Sequence, residues 1–173
     1  MALKYRKVTI FSGKVFKVPQ CVQRIDVRST HGWQLRYGGT KFFNDGSPDG
    51  SGAKASLAAA TAELVKRIKK LPAPYLLQRK PNHSKTSNLP VGISGPVVRQ
   101  RRGSSVRDCS LSISIPVFGG KAQRRSVYIG TETTYTVERF HAALERAAAM
   151  RKKAEETYQR AATRARRAAV LDM

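Results

Sequence analysis

Acidic residues are scarce in this chain. Its 173 residues hold 11 Asp and Glu against 33 Lys and Arg, a formal charge of +22. A solvated surface does not need such an excess, and self-repulsion opposes compaction, so the charge points to a polyanionic partner. The few acids do not gather as a two-metal nuclease requires, since the strand-forming region from residue 93 to 131 offers only Asp108. Cysteine is limited to Cys21 and Cys109, and Cys109 falls on an apolar strand face, which favours a buried free thiol over a disulfide. No run of 18 apolar residues exists for a membrane span, and the first residues lack an apolar signal core, so a cytoplasmic, nucleoid-associated location is expected. Glycine-rich phosphate loops and Cys/His clusters at metal spacing are missing too. His31 and His83 read as surface residues, and His141 as a structural one beside a helical core face. Asp45, Ser47, Asp49 and Gly50 are spaced as in a calcium loop, but Ser56 stands where a bidentate Glu belongs. No catalytic residues, metal or cofactor are expected.

The region from Ser94 to Met150 carries the most order. An extended run, Gly95 to Gly103, precedes a longer one, Val106 to Val117, and a third, Ala122 to Gly130. Side chains alternate faces along a strand. Cys109, Leu111, Ile113, Ile115 and Val117 therefore share an apolar face, leaving Ser110, Ser112, Ser114 and Pro116 on the other. In the third run Val127 and Ile129 oppose Arg124, Ser126 and Tyr128. One face is apolar and the other small and polar, as in a sheet covered on one side. A helix capped by Thr134 supplies the cover through Val137, Phe140, Leu144 and Ala147, which recur on one helical face. Small serines flanked by Arg99, Arg101, Arg124 and Arg125 leave room for a flat polyanion.

The run Gly95-Pro96-Val97-Val98-Arg99-Gln100-Arg101-Arg102-Gly103, the run Arg125-Ser126-Val127-Tyr128-Ile129-Gly130-Thr131 and the alanine-rich helix after them resemble the Apetala-two/ethylene-response-factor type DNA-binding domain. Related modules occur in phage and bacterial proteins. The resemblance implies a three-stranded antiparallel sheet in the DNA major groove, backed by one helix. It matches Arg99 and Arg101 to arginines of the first strand, Arg125 to the basic residue opening the third, Gly130 to the glycine ending it, and Thr134 to the helix-capping threonine. This stretch departs from the family in lacking the tryptophan of the second strand, in carrying Tyr128 where another large aromatic is common, and in having Val137-Glu138-Arg139 in place of paired acids.

A second, diverged copy is expected before it. Lys17-Val18-Pro19-Gln20-Cys21-Val22 is echoed by Asn88-Leu89-Pro90-Val91-Gly92-Ile93, and each hexad leads into a basic extended run. The fold expected is α+β: two tandem modules, each a three-stranded antiparallel sheet packed on one helix, with a long basic C-terminal helix. The divisions are a basic hairpin over 1–17, a first module over 18–71, a linker over 72–92, a second module over 93–150 and a basic helical tail over 151–173. In the first module Ile25 and Val27 share a face against Arg24, Asp26 and Arg28. Ser29 to Gly32 forms a turn, and Trp33 to Tyr37 forms the second strand, the tryptophan-bearing strand by resemblance. Its helix presents Leu57, Thr61, Leu64, Ile68 and Leu71 until Pro72 stops it.

The expected partner is double-stranded DNA. Candidate contacts are Arg24, Arg28, Gln34, Arg36 and Lys41 in the first module, and Arg99, Arg101, Arg102, Arg107, Arg124, Arg125 and Tyr128 in the second. Arginine suits this role because its fork pairs with guanine O6 and N7. Arg151, Lys152 and Lys153 open the tail as phosphate contacts, and a sparse seam of Ala154, Tyr158, Ala161 and Ala165 allows a homodimer through that helix. A transcriptional regulator or architectural factor, phage or mobile-element encoded, is the reading. A ribosomal or other RNA-binding protein, a recombinase accessory and a binder of an acidic protein are the alternatives.

Overall fold

The computed structural model describes residues 3–100, 103 and 105–171. It is α+β, with antiparallel sheets of two, three and three strands and two helices. Among the described residues no helix is long and apolar enough to cross a membrane. The chain forms two compact units. Unit 1 takes the residues up to Pro74 together with those from Ala162 onward, and unit 2 runs from Tyr75 to Ala161.

Unit 1 begins with the hairpin β1 (Tyr5–Thr9) and β2 (Val15–Pro19). It continues into β3 (Val22–Val27), β4 (Thr30–Arg36) and β5 (Thr40–Asn44), a sheet in that order. Helix α1 (Ala53–Lys70) covers one side. Val22, Trp33 and Leu35 from the strands and Tyr37 just after β4 meet Ala60, Leu64 and Ile68 from α1 in a single core, joined by Leu3, Ile10 and Val18 of the N-terminal hairpin. The hairpin thus packs into this unit by its end residues, and Arg6 donates to the Val22 carbonyl at 3.0 Å. Leu64 and Ile68 of the expected helical stripe are buried, but the first half of the helix is rotated. There the line runs through Ala53, Ser56 and Ala60, where small side chains let the helix approach the sheet, while Leu57 and Leu71 flank it. Trp33 Nε1 donates to the Ala53 carbonyl at 2.8 Å and ties the central strand to the helix start.

The register inverts the expected face of β3. The turn is the two-residue Arg28-Ser29, not Ser29 to Gly32, and β4 starts at Thr30. Val22 therefore pairs with Leu35, Arg24 with Trp33 and Asp26 with His31. Because the Trp33–Leu35 row is the covered one, Arg24 and Asp26 point inward, and Ile25 and Val27 point outward. The Arg24 side chain is 6% exposed. It binds Asp45 through two bonds, at 3.0 and 2.6 Å, donates to Asp26 at 2.9 Å, and lies over the Trp33 ring. Ser56 donates to the same Asp45 carboxylate at 2.6 Å. Burial alone would lower the Arg24 pKa, but its bonds to Asp45 and Asp26 outweigh that and raise it. For Asp26, burial pushes upward, and the bonds from Arg24 and His31 more than reverse it, so its carboxyl titrates below the usual range.

Unit 2 holds β6 (Ile93–Gln100), β7 (Arg107–Ile115) and β8 (Gln123–Thr131), a sheet in that order. Helix α2 (Val137–Leu171) covers one side through Ala143 and Ala147, which are fully buried against Leu111, Ile113 and Val127. Phe140 and Leu144 pack at the margin as expected, but Val137 is 59% exposed. The cap is Thr136 rather than Thr134: its hydroxyl accepts from the Arg139 N–H at 3.2 Å, while the Thr134 hydroxyl accepts from Thr131 N–H at 2.8 Å. The helix therefore begins at Val137, whose side chain faces solvent. The end of α2 belongs to unit 1, where Ala162, Ala169 and Val170 are buried. That part of the helix packs one side into unit 1 and leaves Arg164 and Arg167 exposed on the other.

Removing one member of a buried ion pair leaves an uncompensated charge at a cost of about 3–5 kcal/mol. Asp45→Asn is expected to destabilise unit 1 on that scale in urea unfolding followed by Trp33, the only tryptophan. A change under half that size would show that Asp26 alone suffices. Because Asp26 titrates lower folded than unfolded, its contribution is fully present above the ordinary carboxylate range and is lost as pH falls through its depressed value. Trp33 fluorescence during acid titration is expected to report that loss, and Asp26→Asn to reduce it.

Candidate nucleic-acid interface

The uncovered face of the second sheet follows from strand register. Ser112 faces Ser94 on one side and Ser126 on the other, Ser110 faces Val97 and Tyr128, and Ser114 faces Arg124. Arg99 stands opposite Asp108 on the same face. Two irregularities, between Ser94 and Val97 and between Cys109 and Ser110, each admit an extra residue; the second leaves Ile129 buried while Tyr128 stays 48% exposed. The face is therefore a floor of serines with Arg99, Arg124 and Tyr128 rising from it. Arg99 and Arg124 have no hydrogen-bond or ion-pair partner among the described residues, so both guanidinium groups are open to a ligand.

A groove of about 500 Å³ continues this face past Arg124. Ser84, Thr86 and Ser87 line one side, with Ser112 and Ser114 on the other. Lys85 beside them donates to the carbonyls of Leu89, Pro90 and Ile93, which holds its charge at the groove without an acid to cancel it.

Two expected contacts on this sheet lie elsewhere. Arg107 alternates onto the helix side and is paired with Glu132 at 2.8 Å; that bond raises the arginine's pKa and lowers the glutamate's. Arg125 is opposite Ile113, also on the helix side, and lines an apolar cleft of about 610 Å³ with Phe118, Met150 and Tyr158. The sequence places consecutive arginines at 124 and 125, and a strand can present only one of them to a given face. Arg101 and Arg102 lie outside the described residues.

In unit 1 the open face carries Gln34 and Arg36, with Arg36 Nε donating to Gln34 Oε1 at 2.6 Å. Arg24 is withdrawn into its ion pair, so it is not a surface contact. Lys41 pairs with Leu35 and so shares the covered side; it is exposed at the edge, above the Phe43 ring at 5.2 Å. Arg28 sits at the hairpin tip with φ of +51°, exposed, in a conformation that usually favours glycine. The face also presents Gln23, Ile25, Val27 and Phe42, none of them expected. The signal that would have found them is the pairing of Trp33 with Arg24, which follows once the turn is given two residues.

Of the tail contacts, Lys152 and Lys153 are exposed. Arg151 is not: it pairs with Glu155 at 2.6 Å and donates to the Ser114 carbonyl, packed beside Gly92. The Ala154, Tyr158 and Ala161 seam lines the cleft with Phe118, whose ring meets Tyr158 edge-on at 5.5 Å. Among the described residues no His, Cys, Asp and Glu cluster could hold a metal ion. No family model, curated protein or solved structure matches the chain.

Arginine-directed phenylglyoxal on the native protein, read by peptide mass spectrometry, is expected to label Arg99 and Arg124 readily and to spare Arg24 and Arg151. Labelling of Arg24 at the rate of Arg99 would place it on the surface and overturn the β3 register.

Proposed function

We propose that the protein binds double-stranded DNA through the open faces of its two three-stranded sheets, as tandem sheet-plus-helix modules laid in the major groove. It acts as a transcriptional regulator or an architectural factor. The observation that carries this reading is the open face of the second sheet, where unpaired Arg99 and Arg124 stand over a floor of serines. Its dimensions suit the ligand. Two strand spacings of about 4.8 Å put the outer strands about 10 Å apart, against a major groove about 12 Å wide. Serines keep the floor low, so the sheet backbone can come close while the arginines reach base edges or phosphates. The charge of +22 supplies the long-range attraction and a strong salt dependence.

Structured RNA is the competing polyanion. Its deep, narrow major groove does not admit a sheet, and readers of single strands stack bases on aromatic platforms. Tyr128 is the single aromatic on the second sheet's open face among the described residues.

Competition between a mixed-sequence duplex and a structured RNA of equal length decides between them, with the duplex expected to win. Arg99→Ala and Arg124→Ala are each expected to weaken duplex binding by about 1–3 kcal/mol if they meet bases bidentately, while Arg107→Ala changes it little. Equal losses from all three would reduce the role of the face to general charge. Preferential binding of the RNA would overturn the proposal.

A further inference from the structure

Resting on the duplex-binding reading, we propose that the two sheets recognise base pairs of different kinds, the sheet of unit 1 taking an A·T-rich segment and that of unit 2 a G·C-rich one, so that the full target is a composite site. The two open faces have unlike chemistry. On unit 2 the groups able to reach a base edge are the guanidinium groups of Arg99 and Arg124. Guanidinium pairs with guanine O6 and N7, two acceptors that only a G·C pair places side by side in the major groove.

On unit 1 amides and hydrocarbons dominate the corresponding face, and its one guanidinium, Arg36 at the end of β4, is bonded through Nε to Gln34. One row across the three strands reads Gln23, Gln34, Phe42, and the next reads Ile25, Gly32, Asn44. Phe42 lies over Gly32, where a Cβ would come within 2.6 Å of its ring, so the aromatic stays flat on the sheet. Gln23 is exposed and has no hydrogen-bond partner among the described residues. Gln34 has its Oε1 held by Arg36, which fixes the amide and leaves its Nε2 donors and one Oε1 lone pair without a hydrogen-bond partner among the described residues. A primary amide matches adenine, donating to N7 and accepting from N6. Val27 at 60% and Phe42 at 38% exposure, with the half-buried Ile25 on the same face, supply the hydrocarbon of that face. Thymine alone offers a methyl group in the major groove. Amide beside hydrocarbon complements A·T pairs, and the outward placement of both follows from the inward turn of Arg24.

The experiment selects binding sites from a randomised duplex pool with the full chain, at one salt concentration, and repeats the selection with Gln23→Ala/Gln34→Ala and with Arg99→Ala/Arg124→Ala. The wild type is expected to enrich a two-part motif, one part A·T-rich and one containing guanines. The glutamine variant should lose only the A·T part, with discrimination there falling by about tenfold or more, as expected for a lost bidentate pair, and the arginine variant only the guanine part. Unchanged circular dichroism melts certify that both variants fold. Two parts of the same composition, or an A·T part that survives the glutamine changes, would overturn the division of labour while leaving duplex binding in place. Retained binding with no motif would do the same and identify phosphate contact as the whole interaction. Failure of the full chain to bind any duplex at low salt would remove this inference and the duplex reading together.

Discussion

The ion pair between Arg24 and Asp45 is the constraint from which the chemistry of unit 1 follows. A charge can sit on the covered side of a sheet only if it is matched there, and Asp45 matches Arg24 with two bonds while Ser56 and Asp26 occupy the remaining lone pairs and donors. With Arg24 committed inward, every odd residue of β3 must face outward. The pair also links three elements, since Arg24 is on β3, Asp45 follows β5 and Ser56 is on α1. The polar network thereby joins both edges of the sheet to the helix that covers it. Such a network specifies register, because slipping β3 by one residue would expose the Arg24 side and bury Ile25 while leaving Asp45 unpaired.

Both three-stranded sheets obey the same economy of space. Helices approach them through small residues, Ala53, Ser56 and Ala60 in unit 1 and Ala143 and Ala147 in unit 2. Close approach buries the larger strand side chains fully, as with Trp33, Leu35, Leu111 and Ile113. What remains outside differs between the two. Serine and arginine occupy one open face, and glutamine and hydrocarbon, with Arg36 at the end of β4, the other. The cationic excess of the chain is therefore spread unevenly over its surfaces, and several of its arginines, Arg24, Arg67 and Arg151 among them, hold the fold together through carboxylates and carbonyls.

The second sheet was largely legible from residue order. Its alternation of Cys109, Leu111 and Ile113 with serines is long and uninterrupted, and period-two patterning fixes faces without knowledge of partners. The first was not, because Ile25 and Val27 are only two apolar residues, and Arg24 between Val22 and Asp26 looks like a solvent face. Pairing across the hairpin, set by a two-residue turn that contains no glycine, decides the matter, and the turn residues Arg28 and Ser29 carry no local mark of it. The helix stripe erred for a related reason: Leu57 and Leu71 are larger than Ala53 and Ala60, and hydrophobicity alone favours size over closeness of approach.

Composition by itself determined the cationic character. The strand and helix order, the α+β class and the covered face of the second sheet came from periodicity, because these depend on residues near one another in the chain. Tertiary structure decided which arginines are available. Arg24 and Arg151 are held by Asp45 and Glu155, and Arg107 and Arg125 are turned to the helix side. The end of α2 was likewise assigned to the core of unit 1 through Val170. In each case the deciding partner is distant in sequence or set by strand and helix parity, and a long charged side chain takes whichever partner the folded backbone brings within reach.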